Sequence, residues 1–216
     1  MTEIDLAGLY RDSLVDNSPA LKYLVEERNI QDADLIRQVG FLPKVEYRGK
    51  TVYDVMVIPV FDVMGRLTIL ECRALYNKQY FKLTHTRTRI PLYMDFNKVW
   101  QDRDKKPLIL VEGAIEVMSL KTKSKDLLVA STLRASSSKA QLHLLKYYSD
   151  NMVVIYNSDT AGINNAEKIT NFYKEKYGIN VSVEEIPDGY NDLNEMLVRD
   201  ERGFDDYISY LESEYL

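Results

Sequence analysis

Glu112, Asp159 and Asp192 are the residues whose types and spacing could do chemistry. Each follows a stretch that reads as a strand: the apolar run Leu108-Ile109-Leu110-Val111 precedes Glu112-Gly113, the apolar run 152–156 precedes Asn157-Ser158-Asp159-Thr160-Ala161-Gly162, and the mixed stretch 181–186 precedes Pro187-Asp188-Gly189-Tyr190-Asn191-Asp192. Such stretches, closed by polar Gly-bearing turns and followed by helical spacing, read as parallel strands. Each acid then lies just past a strand's carboxyl end, where open α/β sheets place their ligands. Three carboxylates gathered there repel one another unless a cation sits among them. Oxygen-only ligands suit Mg²⁺ or Mn²⁺, with Mg²⁺ keeping several waters and binding through a few carboxylates plus substrate phosphates. Taken singly, each acid reads as a helix cap or turn residue; taken together, they read as ligands.

The elements that must position these acids follow from periodicity. Beyond Pro107, strands are expected at 108–111, 127–131, 152–156 and 181–186, and helices at 114–121, 137–148, 161–177, 191–199 and 204–212. That alternation means an α/β fold with a parallel sheet and right-handed crossovers. Upstream, residues 16–40 are helical in pattern, with Ser18 before Pro19 and Asp32 as possible starts and Gly40 as a stop. From 45 to 83 the period becomes two, with a turn at Met64-Gly65, which predicts an antiparallel meander. The charged stretch 102–106 before Pro107 divides the chain into a helical and antiparallel-sheet region at 1–106, an α/β domain at 107–200 and a last helix at 201–216.

The meander region carries Arg66, Arg73, Lys78, Lys82, Arg87 and Arg89, interleaved with Tyr76, Tyr80, Phe81 and Tyr93. Cations mixed with aromatic rings suit single-stranded nucleic acid, the cations meeting phosphates and the rings stacking on bases. The competing reading is that the aromatics fill the sheet's core while Lys and Arg face water. Charge is uneven along the chain. Residues 41–106 hold 13 Lys and Arg against 7 Asp and Glu, and residues 181–216 hold 2 against 11, within a net charge of −5. A basic binding surface beside an acidic region is one reading of that asymmetry.

Composition removes several classes. With 45% hydrophobic residues in 216, the chain can build real cores. No run approaches the roughly 18 apolar residues of a membrane span, and the start resembles no signal peptide, so a cytoplasmic protein without a membrane partner is expected. One cysteine, Cys72, and two histidines, His85 and His143, leave no set for structural zinc. Cys72 in an apolar strand reads as core.

Three stretches carry a resemblance. Val111-Glu112-Gly113 with Glu116-Val117, then Tyr156 to Gly162, then Pro187-Asp188-Gly189-Tyr190-Asn191-Asp192-Leu193-Asn194-Glu195, resemble the motifs of the TOPRIM domain in DnaG-type bacterial and bacteriophage DNA primases. Ile58-Pro59-Val60-Phe61-Asp62-Val63-Met64-Gly65-Arg66, Arg73, Tyr80 and Leu92-Tyr93 are similar to the basic subdomain that precedes it, and residues 21–40 to the helical pair before that. The resemblance spans about residues 17–200. It implies a Rossmann-like TOPRIM sheet behind a small α+β basic subdomain, and template-directed synthesis of RNA primers on single-stranded DNA from ribonucleoside triphosphates. It further implies Mg²⁺, and a replicative helicase or a separate zinc-bearing partner in a bacterial or phage-infected cytosol. Glu112 matches the family's catalytic glutamate, Asp159 and Asp192 its metal-binding aspartates, and Arg73, with Lys78 or Lys82, its basic residues that meet template or nucleotide.

The chain also departs from the pattern. Asn157 stands where the family has an Asp, Glu116 replaces an Asp, Asn194 fills a place that is often acidic, and Gln79 replaces a Lys. A degenerate TOPRIM module that binds single-stranded DNA or a replication partner without catalysis is therefore the alternative, with a TOPRIM nuclease behind it.

Overall fold

The computed structural model describes residues 5–14, 18–77, 79–84 and 90–216. The chain forms two compact units, Met1–Pro91 and Leu92–Leu216.

The first unit is built on an antiparallel meander in the order β1 (Gly40–Tyr47), β2 (Lys50–Phe61), β3 (Leu67–Ala74) and β4 (Tyr80–Thr84). Pro43 faces Asp54 between the paired residues Leu42 with Val55 and Lys44 with Tyr53. A proline cannot donate to the ladder, and its place on the outer strand β1 avoids that loss. Leu42, Val55, Val57, Leu70, Cys72, Phe81 and Leu83 make one buried face, joined by Leu6 of helix α1 (Leu6–Ser13). The expected helices within 16–40 are shorter than their pattern. Helix α2 (Ser18–Lys22) widens into a π-helical turn at Tyr23–Glu27, and Asp32 caps only the single turn α3 (Ala33–Ile36). Gly40 opens β1 instead of closing a helix, because it packs against α1: a Cβ there would lie 1.9 Å from the Ser13 hydroxyl oxygen.

The second unit is a five-stranded sheet in the order β5 (Tyr93–Met94), β7 (Leu128–Ser131), β6 (Leu108–Val111), β8 (Met152–Val154) and β9 (Ser182–Val183). All pairs are parallel except β5 with β7. Period two sorts the central strands onto two faces. Leu108, Leu110, Leu128, Ala130, Met152 and Val154 meet helices α6 (Lys139–Tyr148) and α7 (Thr160–Tyr177) through Leu142, Leu145, Ile169 and Tyr173. Ile109, Val111, Val129, Val153 and Ile155 meet α5 (Ala114–Lys123), α8 (Leu193–Arg199) and α9 (Glu201–Tyr215) through Val117, Leu120, Leu193, Leu197, Phe204 and Leu211. Each such fully buried side chain contributes about 1.5–3 kcal/mol.

The division falls after Pro91, not at 106, because Tyr93–Met94 pairs with β7 and helix α4 (Phe96–Asp102) buries Val99 in the second core. The last helix likewise belongs to this unit. It starts at Glu201, ahead of the expected 204, because the Asp200 side chain accepts the Gly203 amide and caps it. Among the described residues, no helix is long and apolar enough to cross a membrane.

Candidate functional site

Glu112 directly follows β6, whereas Asp159 and Asp192 lie beyond β8 and β9 at the starts of α7 and α8. Val111 pairs with Ser131 in register, so Glu112 and Thr132 leave β6 and β7 side by side. The Ser131 hydroxyl donates to the Glu112 carbonyl at 2.6 Å and accepts the Leu133 amide at 2.9 Å. This fixes the backbone under Glu112. Leu133 pays for that fixation with a left-handed φ of 58°.

Asp159 and Asp192 both cap helices. Asp159 Oδ1 accepts the Gly162 amide at 2.8 Å at the start of α7, and Asp192 Oδ1 accepts the Glu195 amide at 2.6 Å at the start of α8. The capping reading of both residues therefore holds, and each cap engages only one of the two carboxyl oxygens. The turns that carry them are joined: the Ser158 amide donates to the Asn191 carbonyl at 2.9 Å, and the Ser158 hydroxyl donates to the Tyr190 carbonyl at 2.9 Å. The Asn191 amide in turn donates to the Glu195 carboxylate at 2.8 Å. Gly162 is required by close approach, because a Cβ there would lie 2.1 Å from the Asn157 carbonyl oxygen.

The half-buried Glu112 carboxyl is pushed up from its ordinary value, first by burial and then by the charges of Asp159 and Asp192. Even so, among the described residues no group of three or more His, Cys, Asp or Glu side chains is gathered as a ready-made metal site. Asn194 is buried and donates to the Ser119 hydroxyl at 2.9 Å, so it joins α8 to α5.

The basic residues of the first unit separate into different settings. Arg66 sits at the tip of the β2–β3 hairpin in an exposed pair with Asp62, 2.7 Å apart. Partial burial works against Asp62, but hydrogen bonds from Arg66 and Met64 hold it below the usual carboxylate range. Arg73 is buried in β3, its guanidinium 5.0 Å from the Tyr23 ring centroid and 4.6 Å from that of Tyr80. Burial lowers its pKa, and its Nε has no hydrogen-bond partner among the described residues. Lys82 faces Glu71 across β3 and β4. Lys78, Arg87 and Arg89 lie outside the described residues.

Sequence reasoning missed Tyr23, Arg28 and Glu71 here. Arg28 donates to the Tyr23 hydroxyl at 2.6 Å, fixing the ring that covers Arg73. Glu71 was legible as a charge two residues from Arg73 on the same face of a strand, opposite the buried Ile58.

Residues 109–197 match the Toprim-like family. The chain is 28% identical over 156 residues to the DNA primase of Borreliella burgdorferi, covering 70% of this chain and 29% of that protein. It is 30% identical over 152 residues to the DNA primase of Clostridium acetobutylicum, covering 66% of this chain and 25% of the relative. It thus spans well under a third of those relatives' length.

Among solved structures, the Aquifex aeolicus primase, with its zinc-binding and RNA polymerase domains, aligns with a TM-score of 0.74 at 19% identity, covering 97% of this chain and 59% of that one. A DnaG primase catalytic domain bound to single-stranded DNA aligns at 0.70 and 21% identity, covering 98% and 76%. The primase fragment of the bacteriophage T7 primase-helicase protein aligns at 0.56 and 18% identity, covering 77% and 65%. The chain has the fold of the DnaG primase catalytic core, and the residues that match the Toprim-like family include Glu112, Asp159 and Asp192.

Proposed function

We propose that this chain is the catalytic part of a DNA primase, making RNA primers on single-stranded DNA from ribonucleoside triphosphates with Mg²⁺ or Mn²⁺. The observation that carries this reading is the setting of Glu112 at the carboxyl end of β6, its carboxyl raised first by partial burial and then by the charges of Asp159 and Asp192. Support comes from the two relatives called DNA primases and from the likeness to a DnaG domain bound to single-stranded DNA.

The donor set fits a hard divalent cation. Glu112, Asp159 and Asp192 offer oxygen alone, each capping aspartate keeps one carboxyl oxygen outside its cap, and Asn157 adds a neutral carbonyl. Because these groups are near enough to raise Glu112 yet are not gathered into a ready-made site, they suit an ion that arrives with nucleotide phosphates. When bound, such an ion supplies Lewis acidity toward an attacking 3′-oxygen and a leaving pyrophosphate. The chain's own contribution is positioning: Ser131 holds the backbone at Glu112, and Ser158 ties the turn of Asp159 to that of Asp192. Lys82, with Lys78, Arg87, Arg89 and the hairpin-tip Arg66, would meet template or nucleotide phosphates, whereas Arg73, enclosed between Tyr23 and Tyr80, would support that surface from beneath. A replicative helicase or a zinc-bearing partner in a bacterial or phage-infected cytosol completes this reading, in keeping with the phage T7 neighbour being part of a primase-helicase protein.

A second reading, a noncatalytic module that binds single-stranded DNA or a replication partner, is favoured by Asn157 in place of an acid. Incubation with single-stranded DNA, labelled ATP and the other ribonucleotides decides between them. Template-dependent product that needs a divalent ion and disappears in Glu112→Gln supports the enzyme. No product with either Mg²⁺ or Mn²⁺ supports the binding module.

A further inference from the structure

At the opposite, amino end of the second sheet, just before β6 and β8 begin, a surface groove of about 510 Å³ is lined by Arg103, Lys105, Lys106, Lys146, Tyr147 and Asp150 among others. Beside it stands Trp100, the only tryptophan in the chain. The Trp100 and Tyr147 rings stack at 25° with centroids 5.6 Å apart, and the Arg103 guanidinium lies 3.6 Å from the Trp100 ring centroid. Yet both rings remain open to solvent, Trp100 at 45% and Tyr147 at 65% exposure. Two large aromatic residues left exposed, held by each other and by a cation, form a ready stacking surface.

The charges around it are arranged unequally. Lys106 pairs with Asp126 and Lys146 with Asp150, and in each pair the lysine is the sunken partner, 22% and 26% exposed against 75% and 70% for the aspartates. Arg103 is 31% exposed beside an Asp104 that is 91% exposed. The cations are therefore held in place while their carboxylates lie in water, where such pairs contribute less than about 1 kcal/mol. An incoming phosphate can take over from those carboxylates at little cost. Lys105 is the reverse case, 71% exposed and paired at 3.1 Å with an Asp102 that is 26% exposed, and it stands at the outer rim.

We propose that this groove binds single-stranded nucleic acid, with bases stacking on Tyr147 and Trp100 and phosphates meeting Arg103, Lys105 and Lys146. The ring platform selects a ligand with flat π faces, and the flanking cations select one with phosphates, the combination by which proteins hold single strands without reading their sequence. The groove is separated from the carboxylates by the length of the sheet, about 13 Å for the four residues of β6. It is a second contact for a strand, and it needs no catalysis at the other end.

Because Trp100 is the sole tryptophan, its fluorescence reports this groove directly. The full chain is titrated with a short oligothymidylate, with ATP and with inorganic phosphate. Saturable quenching by the oligothymidylate is expected, weakening about tenfold when salt is tripled if three phosphates are neutralised. Tyr147→Ala, at an exposed position, should weaken binding at least about fivefold, and Lys105→Glu should weaken it and flatten the salt dependence. Circular dichroism confirms that both variants are folded. Glu112→Gln should leave the quenching unchanged, which keeps this result separate from the outcome of the primer assay. Absence of quenching, unchanged affinity in Tyr147→Ala, or ATP binding as tightly as the oligothymidylate would each overturn the proposal, the last by making the groove a site for free nucleotide.

Discussion

Glu71 lies across the β3–β4 ladder from Lys82, Oε1 4.0 Å from Nζ, and its other carboxyl oxygen is buried with no hydrogen-bond partner among the described residues. Burial pushes this carboxyl up to about 7, with the Lys82 charge acting in the opposite direction. A carboxyl whose folded pKa exceeds its unfolded value of about 4.5 costs no stability below that value. The penalty then grows as pH rises through the window from about 4.5 to 7 and is complete above it. Glu71→Gln is therefore expected to be more stable than wild type at pH 8, by about 1–3 kcal/mol, and to match it near pH 4.5. Urea unfolding at the two pH values checks this. A difference that does not change with pH would show that Glu71 does not titrate in that window.

The two roles of Asp159 can be separated by a pair of substitutions. Asp159→Asn keeps an oxygen to accept the Gly162 amide and removes only the charge. Asp159→Ala removes both, at a further cost of about 1 kcal/mol in stability. Both should abolish primer synthesis, but only the alanine variant should lower the thermal midpoint appreciably. Equal midpoints would mean that the cap contributes nothing.

Asn157 offers a divalent ion a neutral oxygen where a carboxylate would offer a charge. Because affinity for hard cations follows ligand charge, Asn157→Asp should bind Mg²⁺ or Mn²⁺ more tightly than wild type in the absence of nucleotide. Calorimetric titration of the two proteins measures the difference. Unchanged affinity would place Asn157 outside the ion's reach.

Gly162→Ala brings a methyl group to 2.1 Å from a backbone carbonyl that cannot swing aside. The expected cost is about 2–3 kcal/mol in stability. Glu112 should also be affected, because displacing the 157–162 turn moves Asp159 away from it. If the variant melts like wild type, the turn must relax more readily than its packing implies.

Much of the second unit was legible because its strands are buried on both faces and its turns carry capping acids. Leu108–Val111 stands where its four consecutive apolar residues predicted, and the acids follow their strands. The strand expected at 181–186 shrinks to Ser182–Val183, since Val181 and Ile186 bury into opposite cores and need no ladder to do so. Short and unpatterned pieces were not legible. Tyr93–Met94 is too brief to show a period, and its pairing with β7 is a tertiary event. Helix Leu6–Ser13 was not expected at all; the structure shows it capped by Asp5, whose carboxylate accepts the Gly8 amide. In the first unit, alternation revealed the meander but not the covering of one face by Tyr23, so Arg73 read as a surface cation when it is enclosed between two rings.

The brevity of β9 bears on self-association. It is the outermost strand of the second sheet, and both of its residues are exposed. A long, flat outer strand would offer a row of unpaired amides and carbonyls to a neighbouring copy, whereas two residues offer too short a row to template another strand. Lengthening this rim with β-branched residues between Gly178 and Pro187 would turn a protected margin into a seam along which chains could join.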